Sequence, residues 1–122
     1  MDTKLVVTDG QTYLECTPNE WQVQSEGDAL DMVAACIEND ISLLMLHAGS
    51  LSDDFYRLRT GLAGAVLQKF TDYHIRVAAV IPLELASQGR FGEMVVEANR
   101  GNSFRVFQTR ELAEQWLVRK EK

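Results

Sequence analysis

The sequence predicts a single α/β domain with elements in the order β-β-α-β-α-β-α-β-α: a mixed, mostly parallel five-stranded sheet carrying four helices. Three observations carry this expectation. Two near-continuous apolar runs, ISLLML (Ile41 to Leu46) and IRVAAVI (Ile75 to Ile81), suit strands buried on both faces of a parallel sheet. Asp9-Gly10, flanked by apolar runs, is a hairpin signal. Amphipathic segments at helical spacing separate the later strands, which implies crossovers, right-handed wherever neighbouring strands run parallel.

The elements follow in order. KLVVT (Lys4 to Thr8) and QTYLEC (Gln11 to Cys16) form the hairpin strands. Ser25 to Asp28 reads S-E-G-D, a capping-box pattern, and Leu30, Val33, Ala34 and Ile37 follow at helical spacing up to about Asn39-Asp40. Between the two buried strands lies LSDDFYRLRTGLAGAVLQKF (Leu51 to Phe70). Its apolar residues Phe55, Leu58, Leu62, Val66 and Phe70 mark one helix face. After Pro82, the residues Phe91, Met94, Val95 and Ala98 mark another face, with Gly101 as its C-terminal stop. SFRVF (Ser103 to Phe107) is the fifth strand. Thr109 then caps a last helix that turns Leu112, Ala113, Trp116 and Leu117 inward.

Composition limits the function classes. The chain has 122 residues, enough for one domain with a real core, and its hydrophobic share of 46% and charged share of 25% are ordinary for a globular protein. A net charge of −6 argues against a nucleic-acid surface. No apolar run is long enough to span a bilayer, and the start MDTKLVVTDG lacks the pattern of a secretion signal. A cytoplasmic protein that engages neither nucleic acid nor membrane is expected. Cys16 and Cys36 form no C-x-x-C pair and read as buried free thiols.

Gly61 and Gly64 interrupt the segment from Leu51 to Phe70, where each costs ~1 kcal/mol relative to alanine in a helix interior. Two readings explain them. In one, a helix runs continuously from about Asp53, and the glycines let it pack closely; the periodicity favours this. In the other, Phe55 to Leu58 is a separate turn, the true helix begins at Thr60, and its first N–H groups form an anion site assisted by Arg57 or Arg59.

DDFYRLRTGLAGAVLQKFTDYHIRVAAV (Asp53 to Val80), followed by EANRG (Glu97 to Gly101), resembles an uncharacterised bacterial family catalogued only as a domain of unknown function. The resemblance covers roughly the second half of the chain, through the F-x-x-L-R-T-G-L-A-G and N-R-G pieces. It implies no activity and no catalytic residues. More distantly, the element order is similar to that of the STAS domains of sulfate transporters and anti-sigma-factor antagonists. These carry a short Asp-Ser-Ser-Gly-type turn between the third strand and its helix. That resemblance places Thr60 where the STAS phosphoacceptor hydroxyl falls. Arg59 stands in place of the acidic residue before it, and the strand-to-helix connection HAGSLSDDFYRL is longer.

No nucleophile–base–orienter arrangement, metal-ligand spacing or cofactor motif is readable. His47 ends a buried strand, at the edge where open α/β sheets place ligand crevices, and Asp53 and Asp54 follow it. Arg90, Arg100 and Arg105 gather around the last crossover, with Arg100 complementing a helix end. The expectation is therefore a non-enzymatic STAS-like regulatory or protein-interaction module without a cofactor. It would be phosphate-switched at Thr60, or secondarily at Ser52, in the loop–helix junction 47–64. His47, Asp53, Asp54, Arg57, Arg59, Gly61, Gly64 and Arg100 would form its ligand or partner surface. The alternative is a binder of a small anion or other small ligand, with His47, Arg57 and Arg59 lining the crevice at the C-terminal ends of the central strands. A third option is a self-associating homodimer through Gly61-x-x-Gly64 and Trp21.

Overall fold

The structure, a computed structural model, describes residues 3–16 and 22–119. Pro18 and Trp21 lie outside the described residues. Five strands, β1 (Thr3–Thr8), β2 (Gln11–Cys16), β3 (Leu43–His47), β4 (Arg76–Val80) and β5 (Phe104–Phe107), form one sheet in sequential order. The β1–β2 pair is antiparallel and every later pair is parallel. Asp9 and Gly10 both take positive φ, 50° and 76°, as a tight hairpin turn demands. No helix among the described residues is long and apolar enough to cross a membrane.

Among the described residues there are six α-helices instead of the expected four: α1 (Glu26–Glu38), α2 (Asp53–Tyr56), α3 (Leu62–Asp72), α4 (Leu83–Ala86), α5 (Gly89–Ala98) and α6 (Arg110–Leu117). The additional two, α2 and α4, are single turns inside the second and third crossovers. A sequentially ordered parallel sheet with crossovers of one hand places its crossover helices on one face. Accordingly, α1, α3 and α5 pack with Leu14, Leu44, Val77 and Phe104 in one apolar cluster. The opposite face is covered by α6, whose Ala113, Trp116 and Leu117 meet Tyr13, Met45 and Ala78.

The continuous helix from Asp53 is not found. Val23 pairs with Leu51 in a parallel bridge, which ties down the connection after β3. The chain then makes α2, leaves helical geometry at Arg57 (φ −98°, ψ 94°), and forms a 3-10 turn at Leu58–Thr60. It enters α3 through Gly61 in the left-handed region (φ 80°). The apolar spacing survives because both pieces aim their apolar sides at one core: Phe55 from α2, and Ala63, Val66 and Phe70 from α3 are all buried. Thr60 is close to the cap expected in the second reading. Gly61 is the N-cap itself, while the Thr60 hydroxyl accepts the Leu62 N–H at 3.2 Å.

The Ser25 hydroxyl accepts the Asp28 N–H at 3.3 Å, and the Asp28 carboxylate reaches back to the Gln24 N–H at 2.8 Å. The buried face of α1 is Ala29, Met32, Val33 and Cys36; of the expected stripe Leu30, Val33, Ala34 and Ile37 only Val33 is buried, and the other three are exposed. The small Ala29 and Cys36 permit close approach to the sheet and to α3, so packing volume overrides hydrophobicity in setting the helix rotation. Leu112 is likewise half exposed, although its three expected companions are buried. Cys16 and Cys36 are both buried and free, and burial pushes their thiols up to about 12 and about 11. The last crossover helix stops at Ala98, capped by Asn99. Gly101 follows in a turn without a positive φ, so it is not the expected left-handed stop.

The glycines separate by mechanism. A Cβ on Gly64 would meet nothing within 4 Å, so this residue serves no close contact within the chain. A Cβ on Gly92 would lie 2.7 Å from the Ser87 carbonyl carbon and 2.8 Å from its oxygen. Gly92 is what lets α5 pass so close to the end of α4. Gly64→Ala is therefore expected to stabilise the fold by ~0.5–1 kcal/mol. Gly92→Ala is expected to destabilise it by ~1–3 kcal/mol. Urea unfolding of the two variants checks both signs.

Candidate functional site

Glu15 is the one charged residue placed inside the β2 run Tyr13–Cys16, and it is 5% exposed on the face that α6 covers. A carboxylate there requires partners, because an unpaired buried charge costs several kcal/mol. Arg110, the first residue of α6, supplies two parallel bonds, Nε to Oε2 at 2.9 Å and an Nη to Oε1 at 3.0 Å. His47, at the end of β3, bonds Oε2 through Nε2 at 2.6 Å. Arg110 also donates to the Tyr13 hydroxyl at 2.8 Å, and that hydroxyl donates to Glu114 at 2.5 Å. Burial alone would raise the Glu15 carboxyl pKa, but the bonds and charges of Arg110 and His47 outweigh it and hold the group below its usual range. Burial and the bond to Glu114 push the Tyr13 hydroxyl far above the usual tyrosine range, so it remains a neutral donor. This chain of bonds joins two strands to α6 and leaves no free carboxylate to act as a base.

His47 therefore does not line a crevice with Arg57 and Arg59, as expected from sequence. Strand alternation turns it to the α6 side, while those arginines follow α2 on the crossover side. The structure brings Arg57 and Arg59 together with Arg90 instead. All three line a concavity of about 590 Å³, formed by the connections that leave the carboxyl ends of β3 and β4. Open α/β sheets place ligand crevices at this end. Tyr56 and Phe91 form its apolar wall, their rings 5.0 Å apart and crossed at 68°, with Phe55 edge-on to both behind them. The Tyr56 hydroxyl donates to the Ala48 carbonyl at 3.1 Å, and burial, with a smaller contribution from Asp53, pushes it up to about 12.

The guanidinium groups of Arg57, Arg59 and Arg90 make no hydrogen bond or ion pair with any described residue, in a protein of net charge −6. Gln88, at the N-cap of α5, makes no side-chain cap bond, so the first N–H groups of that ten-residue helix border the same concavity. Guanidinium forks match planar or tetrahedral oxyanions in geometry as well as in charge. The arrangement can hold an anion against an aromatic wall. It offers no nucleophile paired with a base.

The remaining sequence candidates fall elsewhere. Asp53 and Asp54 are exposed in the first turn of α2. Arg100 is exposed and pairs with Glu97 at 3.3 Å. Gly61 and Gly64 are exposed at the start of α3. Thr60 is exposed, and its hydroxyl lies 2.7 Å from the Asp54 carbonyl and 2.8 Å from that of Arg57, locking the turn before α3. The Ser52 Oγ is enclosed and without a hydrogen-bond partner, so it is not presented to a modifying enzyme as Thr60 is. Arg105 lies on the α6 face and, with Arg76 and Arg119, stacks 5.2–5.6 Å from the Trp116 ring.

Sequence reasoning missed Glu15, Tyr13, Arg110 and Glu114. A signal was present: a carboxylate within a buried strand, and a cation in the first turn of a helix, where the macrodipole opposes it. Each is costly alone, and their pairing offsets much of both costs.

The fold and the concavity together define an α/β domain with an arginine-lined recess at the carboxyl ends of its parallel strands. The chain belongs to the family catalogued as a domain of unknown function, DUF4180, whose model matches residues 8–117. The match spans both halves of the chain, beyond the second half on which the resemblance was seen. No curated protein and no solved structure matches the chain.

Losing hydrogen bonds to a charged group costs roughly 1.5–3 kcal/mol, and Glu15 keeps His47, so Arg110→Ala is expected to destabilise the fold by about that amount. Because the folded-state pKa of Glu15 is lowered, its contribution is fully present above the unfolded glutamate value of about 4.3 and is lost as pH falls through the folded value. Urea midpoints measured across acidic pH should decline less steeply in Glu15→Gln than in the unaltered chain. Parallel declines would remove Glu15 as the source of acid lability.

Proposed function

We propose that this chain is a non-enzymatic, STAS-like cytoplasmic module that works by recognising an anionic group. The observation that carries the reading is the convergence of Arg57, Arg59 and Arg90, none paired with a described residue, on one aromatic-walled recess. Like charges gathered without counter-charges cost free energy in the empty protein, and an oxyanion removes that cost while gaining charge-assisted bonds. The STAS-like description is supported by the element order and by the placement of Thr60 at the turn before α3. A cytoplasmic setting agrees with two buried, unpaired cysteines.

A second reading, a phosphate switch at Thr60, is favoured by the exposure of that hydroxyl close to Arg57 and Arg59 in sequence. Phosphorylation would remove its O–H donor from the Asp54 and Arg57 carbonyls and place a dianion beside the recess, in competition with a bound anion.

Titration with inorganic phosphate, followed by amide NMR, tests the anion reading. Shifts are expected at Gly89, Arg90 and Phe91, with affinity falling about tenfold in Arg57→Ala or Arg90→Ala, the loss of one charged hydrogen bond. Thr60→Glu should weaken phosphate binding as well. Shifts scattered over the surface, or unchanged in the arginine variants, would contradict the proposal.

A further inference from the structure

The arginine recess does not close at α5. A second, largely apolar groove of about 420 Å³ lies between α4, α5 and β5. Gly89 lines both concavities, so they border one another at a residue with no side chain to stand between them. The groove exposes apolar surface that the core does not use: Leu83 and Val96 are each 56% exposed. Its one charged lining residue is Glu93, so negative charge is favoured at the arginine end and disfavoured in the groove.

The free edge of β5 decides what kind of molecule fits. An extended peptide gains much of its affinity from edge-strand main-chain groups. Here the Asn99 carboxamide already holds those of Val106: it accepts the Val106 N–H at 2.8 Å and donates to the Val106 carbonyl at 3.4 Å. An apolar chain needs no such bonds.

We infer that this face binds an amphiphilic organic anion, with a phosphate-monoester or carboxylate head among Arg57, Arg59 and Arg90. Its apolar tail passes Gly89 to lie against Leu83 and Val96. The inference rests on the anion-recognition reading and adds the tail.

Calorimetry on the full chain tests it with inorganic phosphate, octyl phosphate, acetate and octanoate. At least one octyl ligand should bind about tenfold or more tightly than its bare head group, since each buried methylene contributes ~0.8 kcal/mol. Val96→Asp and Leu83→Asp alter exposed positions and should abolish that gain while leaving inorganic phosphate affinity unchanged; Arg90→Ala should weaken every anion. If head groups bind and the octyl chain adds nothing, or its gain survives both aspartate variants, the tail is overturned and the anion reading stands. If neither head groups nor octyl ligands bind, both readings fall. A short apolar peptide that binds more tightly than the octyl ligands, through a shifted Val106 amide, would replace the amphiphile with a strand-adding partner.

Discussion

A carboxylate buried in a β-sheet dictates much of what surrounds it. Glu15 must be desolvated for β2 to sit beside β3, and that cost is offset only if several donors arrive together. Arg110 and His47 do so from different elements, and Lys4 approaches from the hairpin partner at 3.9 Å. The position of α6 across the sheet follows. Its first residue is fixed to β2, and its last turn is held by Trp116 beneath three arginines. Apolar packing of Ala113 between these anchors, and of Leu117 just past the second, completes the contact. Replacement by well-packed apolar side chains could be equally stable, so the network sets where α6 lies more than how strongly it is held.

With one face assigned to α6, the crossover helices occupy the other, and the connections after β3 and β4 become neighbours. Both begin with a short helical turn before the main helix, and this detail brings Arg57, Arg59 and Arg90 to one place. Had the segment from Asp53 formed a single helix, Arg57 and Arg59 would have lain along its length. The breaks at Arg57 and Gly61 turn a packing element into the rim of a recess. Gly89 and Gly92 do the corresponding work on α5, one leaving an opening and the other allowing close contact with Ser87.

The strands, the hairpin turn and the caps at Ser25 and Thr109 were legible because each depends on local chemistry: Asp-Gly for positive φ, a hydroxyl for an orphan N–H, apolar continuity for a strand covered on both sides. Helix rotation was less legible. In α1 the choice between Leu30 or Ile37 and Ala29 or Cys36 depends on the space left by α3, which the sequence of α1 does not contain. The break at Gly61 is masked by periodicity, because two helical pieces aimed at one core preserve the spacing of a single helix. The site was half visible. Arg57 and Arg59 stand out in the sequence, but Arg90 comes from another crossover, and strand alternation with Met45 turns His47 to the α6 face, away from the recess.

The most direct test of the anion-recognising recess is native mass spectrometry of the chain purified gently from its host, beside a triple Arg57→Ala, Arg59→Ala, Arg90→Ala variant. The account predicts a small organic anion that travels with the unaltered chain and is absent from the variant. A chain that emerges empty, or a retained species that the variant keeps equally well, would contradict it.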